Sequence, residues 1–89
     1  MNQAEVQIVN RLGLHARAAA RFVHVANRFP CRISVFKGGS SVDGKSILGL
    51  LTLAAAKGAR LRLTAEGQEE EAALTELVQL VRDRFGEEE

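Results

Sequence analysis

Short runs in which apolar and polar residues alternate recur along the 89-residue chain, separated by runs with helical spacing. The alternating runs, residues 4–9, 31–37 and 60–65, are typical of strands that bury one face. The Gly38-Gly39 pair predicts a tight hairpin into a short strand over residues 40–43, because glycine adopts the positive φ that such turns require. We therefore expect four short strands.

Two longer segments have apolar residues three and four positions apart, which predicts amphipathic helices. The first covers residues 16–27 and stops before Pro30, since the residue preceding a proline is pushed out of the α region. The second covers residues 69–85, with Val81 and Phe85 at the end of its apolar stripe. It has glutamates in its first turn and arginines in its last, and it ends at Gly86. A short third helix follows Ser46, which is suited to cap it. We expect the three glutamates after Gly86 to fray.

The predicted element order is βαββαβα. In a chain this short, three helices can cover only one face of a four-stranded sheet. We therefore predict an α+β fold in one domain spanning residues 1–89. It is a two-layer, open-faced β-sandwich, with a four-stranded antiparallel sheet covered on one face by three helices. A core of this size leaves little room for a deep active site, so we expect the chemistry at the surface.

Composition excludes several classes of protein. Four Phe and no Trp or Tyr leave no platform for stacking nucleobases, so we expect no nucleic-acid partner. The single cysteine, Cys31, cannot form an internal disulfide and is expected to be an inert core residue. No apolar run approaches the ~18 residues of a membrane span, which predicts no membrane insertion and a cytoplasmic location.

Charge is divided unevenly along the chain. Residues 1–65 have ten Lys/Arg and two Asp/Glu, a net charge of +8, whereas residues 66–89 have two Lys/Arg and nine Asp/Glu, a net charge of −7. The basic part favours an acidic partner surface or a phosphate ligand. The acidic residues of 66–89 have a simpler explanation, since one solvent-exposed helix would also be rich in them.

His15 is the main candidate for chemistry, because it stands where the loop meets the first helix. The unpaired N–H groups of a helix start favour anions and a neutral imidazole, whose lone pair is a nucleophile. The guanidinium of Arg17 is placed to neutralise a phosphoryl group on that ring. On spacing alone, however, an inert surface histidine is the more common explanation.

Residues 39–46 match the phosphate-binding pattern G-x-x-x-x-G-K-[ST], but we reject a nucleotide site. That pattern works within a parallel sheet with several crossovers, and this chain is too short and too rich in hairpins. Ser46 has two compatible interpretations, a helix cap and a regulatory phosphosite. The apolar residues that follow it cannot all face inward, which predicts an exposed patch suited to transient docking.

Two motifs together resemble a known family. Residues 12–17 (LGLHAR) and residues 44–49 (GKSILG) are similar to the active-site and regulatory-site motifs of HPr, the histidine-containing phosphocarrier of the bacterial phosphotransferase system. The resemblance implies that Nδ1 of His15 accepts a phosphoryl group from enzyme I, that Arg17 steadies it, and that a IIA protein or domain receives it. It implies a carrier rather than an enzyme, monomeric and without cofactor or metal, with Ser46 as the target of a kinase/phosphorylase.

The resemblance also implies a partner surface formed by the first and second helices. One departure from the family is Ala18, where a proline is usual, and we expect slower or less discriminating transfer from it. Two alternatives stay open: a regulatory adaptor of the same fold that acts through docking, and a carrier of the nitrogen-related branch. The residues that map onto the partner surface are Ala16, Arg17, Ala20, Arg21, His24, Ile47, Leu48 and Leu51.

Overall fold

The computed structural model describes all of residues 1–89 as one antiparallel sheet covered by helices. The sheet has the order β1-β4-β2-β3, and every neighbouring pair is antiparallel. The strands are β1 (Asn2–Gln7), β2 (Arg32–Lys37), β3 (Ser40–Asp43) and β4 (Arg60–Glu66). The helices are α1 (Ala16–Ala26), α2 (Ile47–Thr52) and α3 (Glu70–Arg82), followed by a 3-10 turn at Arg84–Gly86. The predicted fold class is confirmed.

One face of the sheet is buried by the helices, and the other is open. Helix α3 packs on β1 and β4, α2 packs beside β3, and α1 lies between the two helices and contacts both. The alternation expected of the strands holds, since Ile33 and Val35 of β2 and Leu61 and Leu63 of β4 are all buried. None of the helices is long and apolar enough to span a bilayer.

The loop from β1 to α1 is fixed against the segment that follows α2. Gly13 has a φ of 70°, and a Cβ at this position would stand 2.6 Å from the carbonyl oxygen of Ala55. The next amide, that of Leu14, donates to the same carbonyl over 2.9 Å. The close approach and the left-handed backbone both require glycine, and together they place His15 at the start of α1.

Two elements, β1 and α3, have bounds that differ from the expected ones by more than one residue. Strand β1 covers Asn2–Gln7 instead of residues 4–9, because Asn2 and Gln3 pair with the end of β4. Helix α3 ends at Arg82 instead of continuing to residue 85. Phe85 is still buried, as the helical spacing implied, but it reaches the core from a left-handed turn with a φ of 54°.

Candidate functional site

His15 is the N-cap residue of α1. Its backbone is extended, and its Nδ1 accepts the amide N–H of Arg17 over 3.3 Å. The ring is partly accessible, with 27% of the side chain exposed. The Nδ1 lone pair is therefore directed to the positive end of an 11-residue helix, where a negative group is favoured.

Arg17 and His15 lie at the same shallow cleft of about 510 Å³. Arg11 and the last three glutamates also line it, so that the cleft combines two guanidinium groups with acidic residues. Arg17 is exposed and forms no ion pair within the chain. Its guanidinium is free to meet an anion that enters the cleft.

The opposite side of the His15 ring contacts Glu87, a residue that sequence reasoning missed. One carboxylate oxygen of Glu87 meets Nε2 of His15, and the other accepts Nδ2 of Asn10 over 3.0 Å. These hydrogen bonds, that from Asn10 first and that from His15 second, lower the pKa of the Glu87 carboxyl below its ordinary value.

The C-terminal segment is docked on the protein, so the expectation that residues 87–89 fray is wrong. Phe85 is buried, and its carbonyl accepts a hydrogen bond from the guanidinium of Arg21. At Glu89, the Arg11 amide donates to the main-chain oxygen over 2.6 Å, and the Arg11 Nε donates to the side-chain carboxylate over 3.2 Å. The opposite charges of the two parts of the chain were the one sequence signal for this contact.

Ser46 caps α2 as predicted, because its Oγ accepts the Gly49 amide over 2.9 Å. The other polar groups of the motif are used within the chain. The Asp43 carboxylate accepts the Lys45 amide over 2.8 Å, and Nζ of Lys45 donates to the Phe29 carbonyl over 2.7 Å. With its lysine committed to a backbone oxygen and its sheet antiparallel, the motif is no nucleotide-binding loop.

The residues expected at a partner surface are mostly accessible. Ile47 and Leu48 are 41% and 74% exposed, which confirms an apolar patch on α2, while Leu51 is half-buried. On α1, Ala16, Arg17, Ala20, Arg21 and His24 are exposed, and the last four line a groove with Val25 and with Leu80 of α3. Among the side chains of this set, only that of Arg21 forms a hydrogen bond within the chain, to the Phe85 carbonyl.

Cys31 is a free, buried thiol that belongs to the hydrophobic core, as expected. His24 is exposed on α1, and its side chain takes part in no hydrogen bond or ion pair within the chain. His15 is thus the histidine that the fold places at a helix start, with a backbone donor on one ring nitrogen and a carboxylate on the other.

Comparison with known proteins agrees with the motifs and the fold. The family model described as "PTS HPr component phosphorylation site" matches residues 2–83. Phosphocarrier protein HPr of Pseudomonas aeruginosa is 52% identical over 88 residues, with 98% of each chain covered.

Solved structures give the same result. The crystal structure of HPr-C-His from Thermoanaerobacter tengcongensis superposes with a TM-score of 0.96 at 43% identity, with both chains fully covered. The Bacillus subtilis catabolite repression protein Crh, solved as a swapped dimer, has a TM-score of 0.76 at 40% identity and covers 94% of this chain and 97% of its own. The chain therefore belongs to the HPr family of phosphocarrier proteins of the phosphotransferase system.

Proposed function

We propose that this chain is a phosphoryl carrier in which His15 accepts the group from phosphorylated enzyme I and passes it to a IIA protein or domain. The proposal rests most on one observation, the placement of the His15 Nδ1 at the start of α1, where it accepts the Arg17 amide. A neutral imidazole nitrogen that carries a lone pair and no proton is a competent nucleophile toward phosphorus once the hydrogen bond to that lone pair is released.

In the transfer, a bond forms between phosphorus and Nδ1 of His15, and the bond from phosphorus to the donor atom breaks with its electron pair staying on the donor. The phosphoryl oxygens then lie at the start of α1. There the Arg17 amide turns from Nδ1 to a phosphoryl oxygen, and the Arg17 guanidinium neutralises part of the charge. Because the same atom later gives the group away, the chain is a carrier and not an enzyme.

The partner surface in this proposal is the exposed side of α1 together with the start of α2. Arginines on α1 meet acidic groups of the partner, and the exposed Ile47 and Leu48 provide apolar contact. Such a mixed surface suits partners that exchange rapidly in the cytoplasm, with the carrier as a monomer. The residues assigned to it are Ala16, Arg17, Ala20, Arg21, His24, Ile47, Leu48 and Leu51.

Regulation at Ser46 is part of the same proposal. Its Oγ already accepts the Gly49 amide, so a phosphate there would stay at the start of α2. It would place strong negative charge beside exposed Ile47 and Leu48, and a partner that buries this patch would bind less well. A kinase/phosphorylase of the HPr type is the enzyme implied.

The decisive test is a phosphotransfer assay with enzyme I, phosphoenolpyruvate and this protein, followed by phosphorus NMR. We expect an acid-labile phosphohistidine signal on Nδ1 that is absent from His15→Ala. His24→Ala is the matched control, since His24 is the other histidine and lies exposed on the same helix. No phosphorylation by an enzyme I that phosphorylates another HPr would refute the carrier role.

A second candidate function is a regulatory adaptor that docks without transferring phosphate. It is favoured by the similarity to Crh, the catabolite repression HPr of Bacillus subtilis. The presence of His15 and Arg17 at one helix start favours the carrier instead. His15→Ala separates the two, because an adaptor keeps its regulatory effect when the histidine is removed and a carrier loses its effect.

A further inference from the structure

The two nitrogens of the His15 ring have different partners. Nδ1 accepts the Arg17 amide, so it holds a lone pair and not a proton. In a neutral imidazole the proton is then on Nε2, and Nε2 faces a carboxylate oxygen of Glu87. A carboxylate can only accept, which makes the Nε2–H form of the ring the one that satisfies both contacts.

Glu87 is itself held in place from the other side. Asn10 is fully buried, and its Nδ2 donates both to the Gly13 carbonyl over 2.8 Å and to Oε1 of Glu87 over 3.0 Å. Both oxygens of the Glu87 carboxylate therefore have a donor, Oε1 from Asn10 and Oε2 from His15. The carboxylate cannot rotate away from Nε2 without breaking the bond to Asn10.

The chain reaches this position through a turn that would be costly without these contacts. Arg84, Phe85 and Gly86 have φ values of 59°, 54° and 83°, and left-handed backbone is unfavourable for the first two. Burial of Phe85 and the hydrogen bond from Arg21 to its carbonyl hold the turn. Three separate contacts, at Phe85, Glu87 and Glu89, thus fix the segment over the His15 ring.

We propose that Glu87 is a positioning residue for His15, which holds the ring proton on Nε2 so that Nδ1 keeps the lone pair that attacks phosphorus. When the P–N bond forms at Nδ1 and the donor departs with its electron pair, the ring becomes positively charged and keeps its Nε2 proton. The Glu87 carboxylate then faces that charge. This inference rests on the proposed carrier function and adds to it a residue from the opposite end of the chain.

The first test reads the ring directly, without any phosphoryl donor. In the full chain labelled with ¹⁵N-histidine, at about pH 8.5 where a free imidazole is neutral, we expect His15 to be mainly the Nε2–H tautomer. Glu87→Gln should give a mixture with the Nδ1–H tautomer, because an amide both donates and accepts. Glu88→Gln is the matched control and should leave the spectrum of the parent. An unchanged tautomer ratio in Glu87→Gln, or an Nδ1–H ring in the parent, overturns the inference.

The second test distinguishes two roles of the C-terminal segment, orientation of the His15 ring by Glu87 and simple shielding of the site. With enzyme I limiting, we expect Glu87→Gln to lower kcat for phosphorylation roughly tenfold, the equivalent of one charge-assisted hydrogen bond, with KM unchanged within about twofold. Glu89→Gln weakens one of the three contacts of the tail, that with Arg11, and leaves those at Phe85 and Glu87 in place, so its loss of kcat and its change of tautomer should be much smaller than those of Glu87→Gln.

A higher kcat in Glu87→Gln would mean that the segment only obstructs the site, and would overturn the inference. So would an equal loss of kcat in Glu89→Gln, since that result assigns the effect to tail docking as a whole. Failure of the parent protein to be phosphorylated refutes the carrier function instead, and the tautomer measurement distinguishes the two failures because it needs no transfer.

Discussion

Asn10 and Glu87 stand 77 positions apart in the chain and are joined by a hydrogen bond of 3.0 Å from amide to carboxylate. Because Asn10 also donates to the Gly13 carbonyl, one buried side chain connects the loop before His15 to the C-terminal segment. The loop that leads into His15 and the C-terminal segment that contacts its ring are therefore parts of one hydrogen-bonded unit. A substitution at Asn10 or Glu87 is expected to change the hydrogen bonding of the ring.

Two carboxyl groups with lowered pKa values, one of them in this unit, predict how the stability of the fold depends on pH. The pKa of Glu87 is lowered by the hydrogen bonds from Asn10 and His15, and the pKa of Glu70 is lowered mainly by the Gly67 amide. A carboxyl with a lower pKa in the folded state stabilises the fold above its unfolded pKa of ~4.3, and this contribution is lost as the pH falls through the folded value. We expect the free energy of unfolding to fall below about pH 4.

Urea unfolding at pH 7, 5, 4 and 3 measures this effect. Between pH 5 and pH 3, Glu87→Gln should lose less stability than the parent, because residue 87 no longer titrates in either state. Glu88→Gln removes a neighbouring carboxyl without a hydrogen-bond partner on its side chain, and should follow the parent. Identical curves for Glu87→Gln and the parent would contradict the docked position of Glu87.

Removal of the Arg17 guanidinium is expected to slow transfer without unfolding the protein. Arg17→Ala keeps the amide that bonds Nδ1 but loses the charge that meets the phosphoryl group, which should lower the rate about tenfold to a hundredfold. Thermal melting should change little, since the side chain is exposed and unpaired. Single-turnover phosphorylation measures the rate, and Arg28→Ala, an exposed arginine just after α1, is the control. Equal rates in both variants would argue against the role of Arg17.

Gly13→Ala tests the close contact that places His15. The new Cβ would lie 2.6 Å from the Ala55 carbonyl in a backbone with positive φ, so we expect a loss of about 2 to 4 kcal/mol in the free energy of unfolding. Gly38→Ala is the matched control, because Gly38 has a φ of 57° but nothing within 4 Å of its Cβ position. That variant should lose only about 1 kcal/mol. Similar losses in chemical denaturation would mean that the contact with Ala55 is unimportant.

Ser46 offers a test in which stability and docking respond differently. Ser46→Ala removes the cap of α2 and should cost about 1 kcal/mol, whereas Ser46→Asp keeps an acceptor for the Gly49 amide and should be near neutral in stability. In binding to enzyme I the order should reverse, with Ser46→Asp the weaker variant because of the charge beside Ile47 and Leu48. Calorimetric titration of both variants measures the affinities. Equal affinities would remove the support for regulation at this serine.

Local patterns were enough to predict the parts of the fold that depend on near neighbours. The alternation at Ile33 and Val35, the buried stripe of α1 and the Ser46 cap all follow from residues within a few positions of each other. The opposite charges of residues 1–65 and 66–89 favoured contact between the two parts of the chain, but they did not show which residues meet. Contacts such as that of Asn10 with Glu87 depend on the path of the whole chain. The spacing of apolar residues within a helix or strand therefore cannot predict them.

Phe85 also shows what residue spacing can and cannot predict. Its helical spacing from Val81 predicted its burial correctly, but spacing does not tell whether the residue belongs to the helix or to a turn beyond it. Beyond the left-handed conformation at Arg84 and Phe85, the chain brings Glu87 to His15 and Glu89 to Arg11. The fraying of these residues was predicted from their position at the terminus, and long-range contacts overrode that tendency.

Ala18→Pro addresses the departure from the family pattern. Ala18 lies in the first turn of α1, and its amide has no intrahelical acceptor, so a proline there removes no hydrogen bond. We expect about 0.4 to 1 kcal/mol of added stability, since proline restricts the unfolded chain. The start of α1 should become more rigid around Nδ1 of His15, and phosphorylation by enzyme I should be faster. Ala20→Pro is the control, because it falls past the first turn and should destabilise α1 by about 3 kcal/mol or more. Unchanged stability and an unchanged transfer rate in Ala18→Pro would show that the alanine has no cost at this position.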